Sequence, residues 1–318
     1  MAQSGMNLGW TSPVLPHLNR NDSFIPNLDH EGEEAAWITS LMPLGAIVGA
    51  VPSGKAADRF GRRPAIAATS LPFLTCWLLM LAASTMTPKI AIRILYVARF
   101  IGGIGAGAAC VLVPVYIGEV AEPKIRGALG TFFPILFSVG IVYSYIAGSY
   151  LSYWAFNASC CALLAPFLCG VMWLLPESPS WLVHRGRKED ACRVLRRLRG
   201  SKYDVGQEVT ELLREHEASQ IKQGGFRDLI STKAGRRALG ACVGLMFFQQ
   251  MCGIDAVLFY TVTIFEDAKS SIDANVATII IGFIEVVMGV VVAVTIDRSV
   301  IFTHYYKLLI LELQFILF

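Results

Sequence analysis

The chain has 318 residues, of which 54% are hydrophobic and 16% charged, and its mean hydropathy is +0.54. Soluble domains carry about 25% charged residues, so the composition argues against a water-soluble globular protein. The charges are also segregated: fifty consecutive positions, Gly127 to Pro176, hold no Asp, Glu, Lys or Arg. A water-facing domain does not leave so long a stretch uncharged, whereas two membrane helices joined by a short turn do, since ~20 apolar residues cross the hydrocarbon core.

In chain order, Met1 to Leu18 comes first, uncharged but polar-rich and interrupted by Pro13 and Pro16. It lacks the basic start and long apolar run of a signal peptide. It reads as the outer part of a helix whose beginning is missing. Seven apolar spans follow, at about 35–54, 64–86, 93–118, 127–150, 154–175, 238–265 and 274–296. Between the fifth and sixth of these lies a hydrophilic segment in which residues 188–198 set Ala191, Val194, Leu195 and Leu198 on one helical face, opposite Arg193, Arg196 and Arg197. Residues 205–213 repeat the pattern with Val205, Val209, Leu212 and Leu213. Two short amphipathic helices packed under the membrane are expected there.

Charge orients the spans. The 55–63 loop carries Lys55, Arg59, Arg62 and Arg63, and fourteen of the 27 Lys and Arg residues lie between His184 and Arg237. Residues 20–34 carry one Arg against Asp22, Asp29, Glu31, Glu33 and Glu34. Basic loops face the cytoplasm, so the protein is expected to be a multi-pass cell-membrane protein with its acidic loop outside. Asn21-Asp22-Ser23 is then an outer glycosylation sequon. A second, Asn157-Ala158-Ser159, falls at a helix start too close to the membrane for use. The basic block is read as a positive-inside loop rather than a nucleic-acid surface. The eight cysteines show no CxxC and no His spacing, so no disulfide framework or metal site is expected. The five histidines are scattered, with no nucleophile or phosphate loop near them. No enzymatic role and no cofactor follows from them.

Seven spans alone fit a seven-helix receptor, but the motifs decide against it. Gly54-Lys-Ala-Ala-Asp58-Arg59-Phe-Gly61-Arg62-Arg63 directly follows an apolar span. There Gly54 is expected to let two helices approach closely, Asp58 to accept from a helix N-terminus or an Arg, and the arginines to anchor at the inner interface. This element resembles the cytoplasmic signature of the major facilitator superfamily. Four more motifs resemble its sugar-porter branch: Arg99-Phe-Ile-Gly-Gly103; Pro114-Val-Tyr116-Ile-Gly-Glu119 with Arg126; Pro176-Glu177-Ser178-Pro179-Ser180-Trp181-Leu182; and Gln249-Gln250-Met-Cys-Gly253-Ile254-Asp255-Ala256-Val257-Leu258-Phe259-Tyr260. Leu8-Gly-Trp-Thr-Ser-Pro13 is most similar to the insect facilitated trehalose transporters of that branch.

The resemblance implies an all-α polytopic membrane protein. Residues 1–178 would form an N-terminal six-helix half, 179–236 a cytoplasmic helical linker, and 237–298 the first two helices of the C-terminal half, before a divergent apolar tail at 299–318. It implies that Asp58, Arg59, Arg62, Arg63, Glu119, Arg126 and Glu177 form ion pairs at the inner face that make and break during the cycle, with Gly54, Gly61 and Arg99 in the same switching set. It further implies that Gln249, Gln250, Asp255, Glu285 and Asn7 line a sugar site, with Phe259 and Tyr260 as outer gate. A polyol in a low-dielectric cavity needs neutral donors and acceptors on a helix that can break, and Gly253 supplies such a break.

Departures from the family pattern carry their own expectations. Asp255 and Glu285 stand where relatives have amides, and a carboxylate at mid-bilayer costs ~2.5–3.5 kcal/mol on insertion scales. Both are expected to face the cavity, which opens a proton-coupled alternative. Against it, the first-span position that is Asp in proton-driven symporters is Asn7 here, expected beside Arg99 of the fourth span. Pro134 replaces a fifth-span Gln. After Asp297-Arg298, which echoes Asp58-Arg59, the chain diverges and ends at Phe318. Facilitated diffusion of a hexose or trehalose is therefore the expected activity. The alternatives are a proton-coupled symporter and an incomplete, non-transporting or regulatory member of the same family.

Overall fold

The structure, a computed structural model, describes residues 1–19, 23–25, 32–122, 125–200, 204–221, 230–268 and 272–295, and all regular secondary structure among them is helical. Among the described residues, seven helical stretches are long and apolar enough to cross a membrane: Glu33–Phe60, Arg62–Ala83, Pro88–Val120, Arg126–Tyr150, Tyr153–Trp173, Lys233–Asp267 and Ala274–Val294. These are the seven spans read from hydropathy. They are preceded by α1 (Ala2–Gly9) and α2 (Thr11–Leu18), two segments of a shorter first helix. The divergent tail and Asn21 lie outside the described residues.

In order, the spans are α3 (Glu33–Phe60), α4 with α5 (Arg62–Ala68, Ser70–Ala83), α6 (Pro88–Val120), α7 (Arg126–Tyr150) and α8 with α9 (Tyr153–Ala162, Leu164–Trp173). Then come the short helices α10 (Pro179–His184), α11 (Lys188–Arg199) and α12 (Val205–Ile221), followed by α13 (Lys233–Met251), α14 (Ile254–Asp267) and α15 (Ala274–Thr295). The described residues divide into two compact units, one of Met1–Pro176 together with those of 258–295, the other of Glu177–Val257. The dividing line falls inside the seventh span, at a place no composition shift marks.

Within the first unit, α3 and α6 pack through facing glycines. A Cβ on Gly103 would overlap the Met42 carbonyl, and one on Gly45 the Phe100 carbonyl, with Gly49 and Gly107 equally hemmed in. Small residues at four-residue spacing let backbones touch where no hydrophobic effect drives helices together. The expectation for Gly54 fails here. A Cβ at that position meets nothing within 4 Å among the described residues, because the tight seam ends one turn earlier, at Gly49.

Every residue of α1 from Gln3 to Gly9 is buried. This explains a helix that is polar yet uncharged: its polar side chains face other spans, where neutral partners can meet them. Large apolar residues point outward instead, with Val51 75%, Leu71 65%, Trp154 62% and Trp173 83% exposed. That inside-out pattern suits hydrocarbon rather than water as solvent.

In the second unit, α10, α11 and α12 close a small core of Leu182, Val183, Ala191, Leu195, Val205 and Val209. These are the apolar faces the periodicity located. Arg199 Nη2 pairs with Glu208 Oε1 at 3.0 Å beside that core.

Candidate transport site and conformational elements

Arg99 lies in the middle of α6 and is 0% exposed. Its Nη1 donates to Asn7 Oδ1 at 2.9 Å and to the Asn7 carbonyl, its Nη2 to Thr11 Oγ1 at 2.9 Å, and its Nε to the Ile38 carbonyl at 3.1 Å. The guanidinium also sits 5.3 Å from the Trp10 ring centroid. Four neutral acceptors and an aromatic face spread the charge without a carboxylate, which is how a lone buried cation is made tolerable. The other end of Asn7 is engaged too: its Nδ2 donates to Cys76 Sγ at 3.2 Å. Gly102 makes room for this, since a Cβ there would collide with the Asn7 amide.

The node extends sideways. Trp10 Nε1 donates to Asn157 Oδ1 at 3.0 Å, and Asn157 Nδ2 to the Tyr153 carbonyl at 2.7 Å. Trp77 Nε1 donates to Gln3 Oε1 at 2.9 Å, while Gln3 Nε2 reaches the Cys160 carbonyl at 3.1 Å. The first helix is thereby bound to the third, fourth and sixth. Sequence reasoning placed Asn7 beside Arg99 but missed Gln3, Trp10, Thr11, Cys76 and Trp77. Their signal was present as polar and indole groups inside uncharged stretches. Asn157 is 0% exposed with both amide ends bonded, so the folded chain offers no free amide at its sequon.

At the basic end of the spans, Gly61 takes φ 109°, a conformation that favours glycine, and turns α3 into α4. Arg62 then faces Glu119 of α6 with a fork of bonds: Nε to Oε1 and Oε2 at 3.1 and 2.9 Å, and Nη2 to Oε1 at 2.8 Å. Its Nη1 meets Asp58 at 2.9 Å, the acceptor role foreseen for that residue. Arg63 donates to the Met172 carbonyl, and Tyr116 OH to the Pro176 carbonyl at 2.8 Å. Arg59 lies over Phe60 at 5.5 Å. Arg126 is the exposed first residue of α7. In the second unit, Glu177 Oε1 accepts from the Ser178 N–H at 2.9 Å. The structure brings Asp58, Arg62 and Glu119 together and leaves Arg126 apart from them.

Along the seventh span, Gly253 has φ +70° and separates α13 from α14, the break expected there. Gln249 and Gln250 lie exposed on the last turn of α13, and Asp255 sits in the first turn of α14, where the helix dipole favours an anion. Phe259 is buried, and Tyr260 OH donates to Thr39 Oγ1 at 3.1 Å. On α15, Glu285 has a buried Oε2 that finds no hydrogen-bond partner among the described residues. Among the described residues no cluster of His, Cys, Asp and Glu suited to a metal ion occurs.

Membrane-length helices throughout, one of them broken at Gly253, define a polytopic membrane protein of the major facilitator type. The chain belongs to the family described as sugar (and other) transporters, whose profile matches residues 2–300. It is 35% identical over 296 residues to the facilitated trehalose transporter Tret1 of Culex quinquefasciatus, covering 92% of this chain and 55% of that protein. To Tret1 of Aedes aegypti it is 36% identical, covering 92% and 36% respectively. Its fold is similar to that of the xylose transporter XylE of E. coli in a partially occluded inward-open conformation, with 25% identity and a TM-score of 0.71 over 93% of this chain and 71% of that one. The proton:xylose symporter XylE bound to 6-bromo-6-deoxy-D-glucose gives 27% identity and a TM-score of 0.74, over 93% and 68%. The chain thus spans about half or less of the length of these curated relatives.

Proposed function

We propose that this chain belongs to a protein that carries a sugar, trehalose or a hexose, across the cell membrane by alternating access and without a coupled proton. The observation that carries the uncoupled reading is the Arg99 node. A transporter that loads a proton at this place needs a titratable partner for the guanidinium, and Asn7 offers an amide in its stead. On this reading Asn7 serves the Arg99 node more than the sugar. Gln249, Gln250 and Asp255, on either side of the Gly253 break, are the sugar contacts, joined by Glu285. Phe259 and Tyr260 are the gate, and the basic loops face the cytoplasm. The forked Arg62–Glu119 pair, with Asp58, is the part of the switching set whose geometry supports that role. Such partly hydrated pairs suit a switch, because their strength is comparable to the gap between two states.

The test is counterflow of radiolabelled trehalose and glucose in proteoliposomes containing this chain, at two external pH values. Exchange that saturates and ignores pH supports the proposal. A second reading, proton coupling, is favoured by the buried Oε2 of Glu285, which finds no partner among the described residues. Uptake that rises steeply as external pH falls, and is lost in Glu285→Gln, would establish that reading instead. No counterflow of either sugar would leave the chain a non-transporting member of its family.

A further inference from the structure

The seventh span breaks twice: once at Gly253 and again inside α14, where Tyr260 has φ −118° and ψ 18°. In a straight helix the Val262 N–H would donate to the Leu258 carbonyl four residues back. Here each of these two groups is bonded by a side chain of the N-terminal helices. Val262 N–H donates to Ser12 Oγ at 3.1 Å, and the Leu258 carbonyl accepts from the Tyr145 hydroxyl at 3.0 Å. Ser12 and Tyr145 are 1% and 0% exposed, and Leu258 and Val262 are 7% and 2% exposed. The kink residue adds its own bond to α3, from Tyr260 OH to Thr39 Oγ1. Thr39 is set to accept, since its hydroxyl already donates to the Ala35 carbonyl at 3.0 Å.

We propose that Ser12 on α2 and Tyr145 on α7 are positioning residues that latch the bent form of the seventh span against the N-terminal helices. The inference rests on the alternating-access reading and names what ties the gate to the rest of the protein. A bend in a buried helix frees backbone groups that must find partners. With α14 seated, those partners are two side chains from two different spans. When α14 leaves, both are lost together, and the Val262 N–H and Leu258 carbonyl satisfy one another as the helix straightens. Bending and closure are thus one event. The bonds that hold it are neutral and individually modest, so it can be undone.

The test is hydrogen–deuterium exchange on the whole chain in lipid nanodiscs, read at the peptide covering 258–264. Tyr145→Phe and Ser12→Ala are each expected to speed exchange there by about 3- to 10-fold, the range of one lost hydrogen bond. Ser12→Thr, which keeps the hydroxyl, is expected to restore the slow rate. Exchange across α3 at Gly45–Gly49 should not move. Unchanged exchange at 258–264 in both variants overturns the latch, and so does a rise that includes α3, since that marks a general packing defect. This readout is independent of sugar movement. A chain that fails to transport but shows the local effect refutes the transport reading alone. One that transports with no local effect refutes the latch alone. In a transporting chain, Tyr145→Phe is further expected to change the ratio of KM values for influx and efflux.

Discussion

Arg99 and Asn7 bond twice, side chain to backbone carbonyl and side chain to side chain, and this pair stands where an ion pair would make the same fold titratable. The guanidinium is completely buried, yet its acceptors are two backbone carbonyls, an amide oxygen and a hydroxyl. Arg99→Lys cannot reproduce this, because an ammonium lacks the planar fork that reaches Asn7, Thr11 and Ile38 at once. We expect Arg99→Lys to lower the thermal unfolding temperature in detergent clearly. On the proposed uncoupled transport, Asn7→Asp should retain folding and introduce a dependence of transport on external pH. Identical pH profiles for the two would refute the assignment.

The charged cluster at the basic end contains a strong pair and a weak one. Arg62 and Glu119 side chains are 10% and 20% exposed and bonded as a fork, while Asp58 is 71% exposed. Glu119→Gln should therefore cost about 1–3 kcal/mol. Asp58→Asn should cost about 0.3–0.5 kcal/mol, typical of an exposed pair one helical turn apart. Thermal unfolding of the two variants side by side checks the order. Equal losses would contradict the geometry.

Two glycines in neighbouring motifs should behave oppositely. Gly103→Ala places a Cβ into the Met42 carbonyl across the α3–α6 seam, so the helices must separate and the folded yield should fall sharply. Gly54→Ala adds a methyl where nothing lies within 4 Å and should be neutral in yield and thermal stability. Fluorescence-detected size-exclusion chromatography of both variants measures this directly.

Of the two sequons, only the first should carry glycan. Asn157 is fully buried and bonded at both amide ends to Trp10 and Tyr153, so no transferase reaches it in the folded chain. Expression in an insect cell followed by glycosidase treatment should give a single mobility shift, abolished by Asn21→Gln and untouched by Asn157→Gln. A shift that survives Asn21→Gln would place glycan elsewhere.

Much of this was written locally. The seven spans follow from runs of apolar residues as long as the bilayer is thick. The helices α11 and α12 follow from 3.6-residue periodicity around Ala191, Leu195, Val205 and Val209. The break at Gly253 follows from a residue that alone adopts φ +70° at no steric cost. Asp58, Arg62 and Glu119 were legible because they sit in motifs whose resemblance implied ion pairs, and Arg62 does pair with both carboxylates. Arg126 shows the limit of that route, since its motif neighbour Glu119 turns to Arg62 instead.

The sequence by itself thus determined membrane residence, span number, the linker helices and family, all of which depend on composition and on residues within a few turns of one another. Only the tertiary structure decided which polar groups meet. That Gln3, Asn7, Thr11 and Trp10 form one buried network with Trp77, Arg99 and Asn157, that Gly54 faces open space while Gly103 does not, and that Ser12 and Tyr145 bond the backbone of a kink more than a hundred residues away are facts of long-range contact. Inside hydrocarbon each such group must find a partner. A single chain states the need at each position, but only the packed helices select which partner answers it.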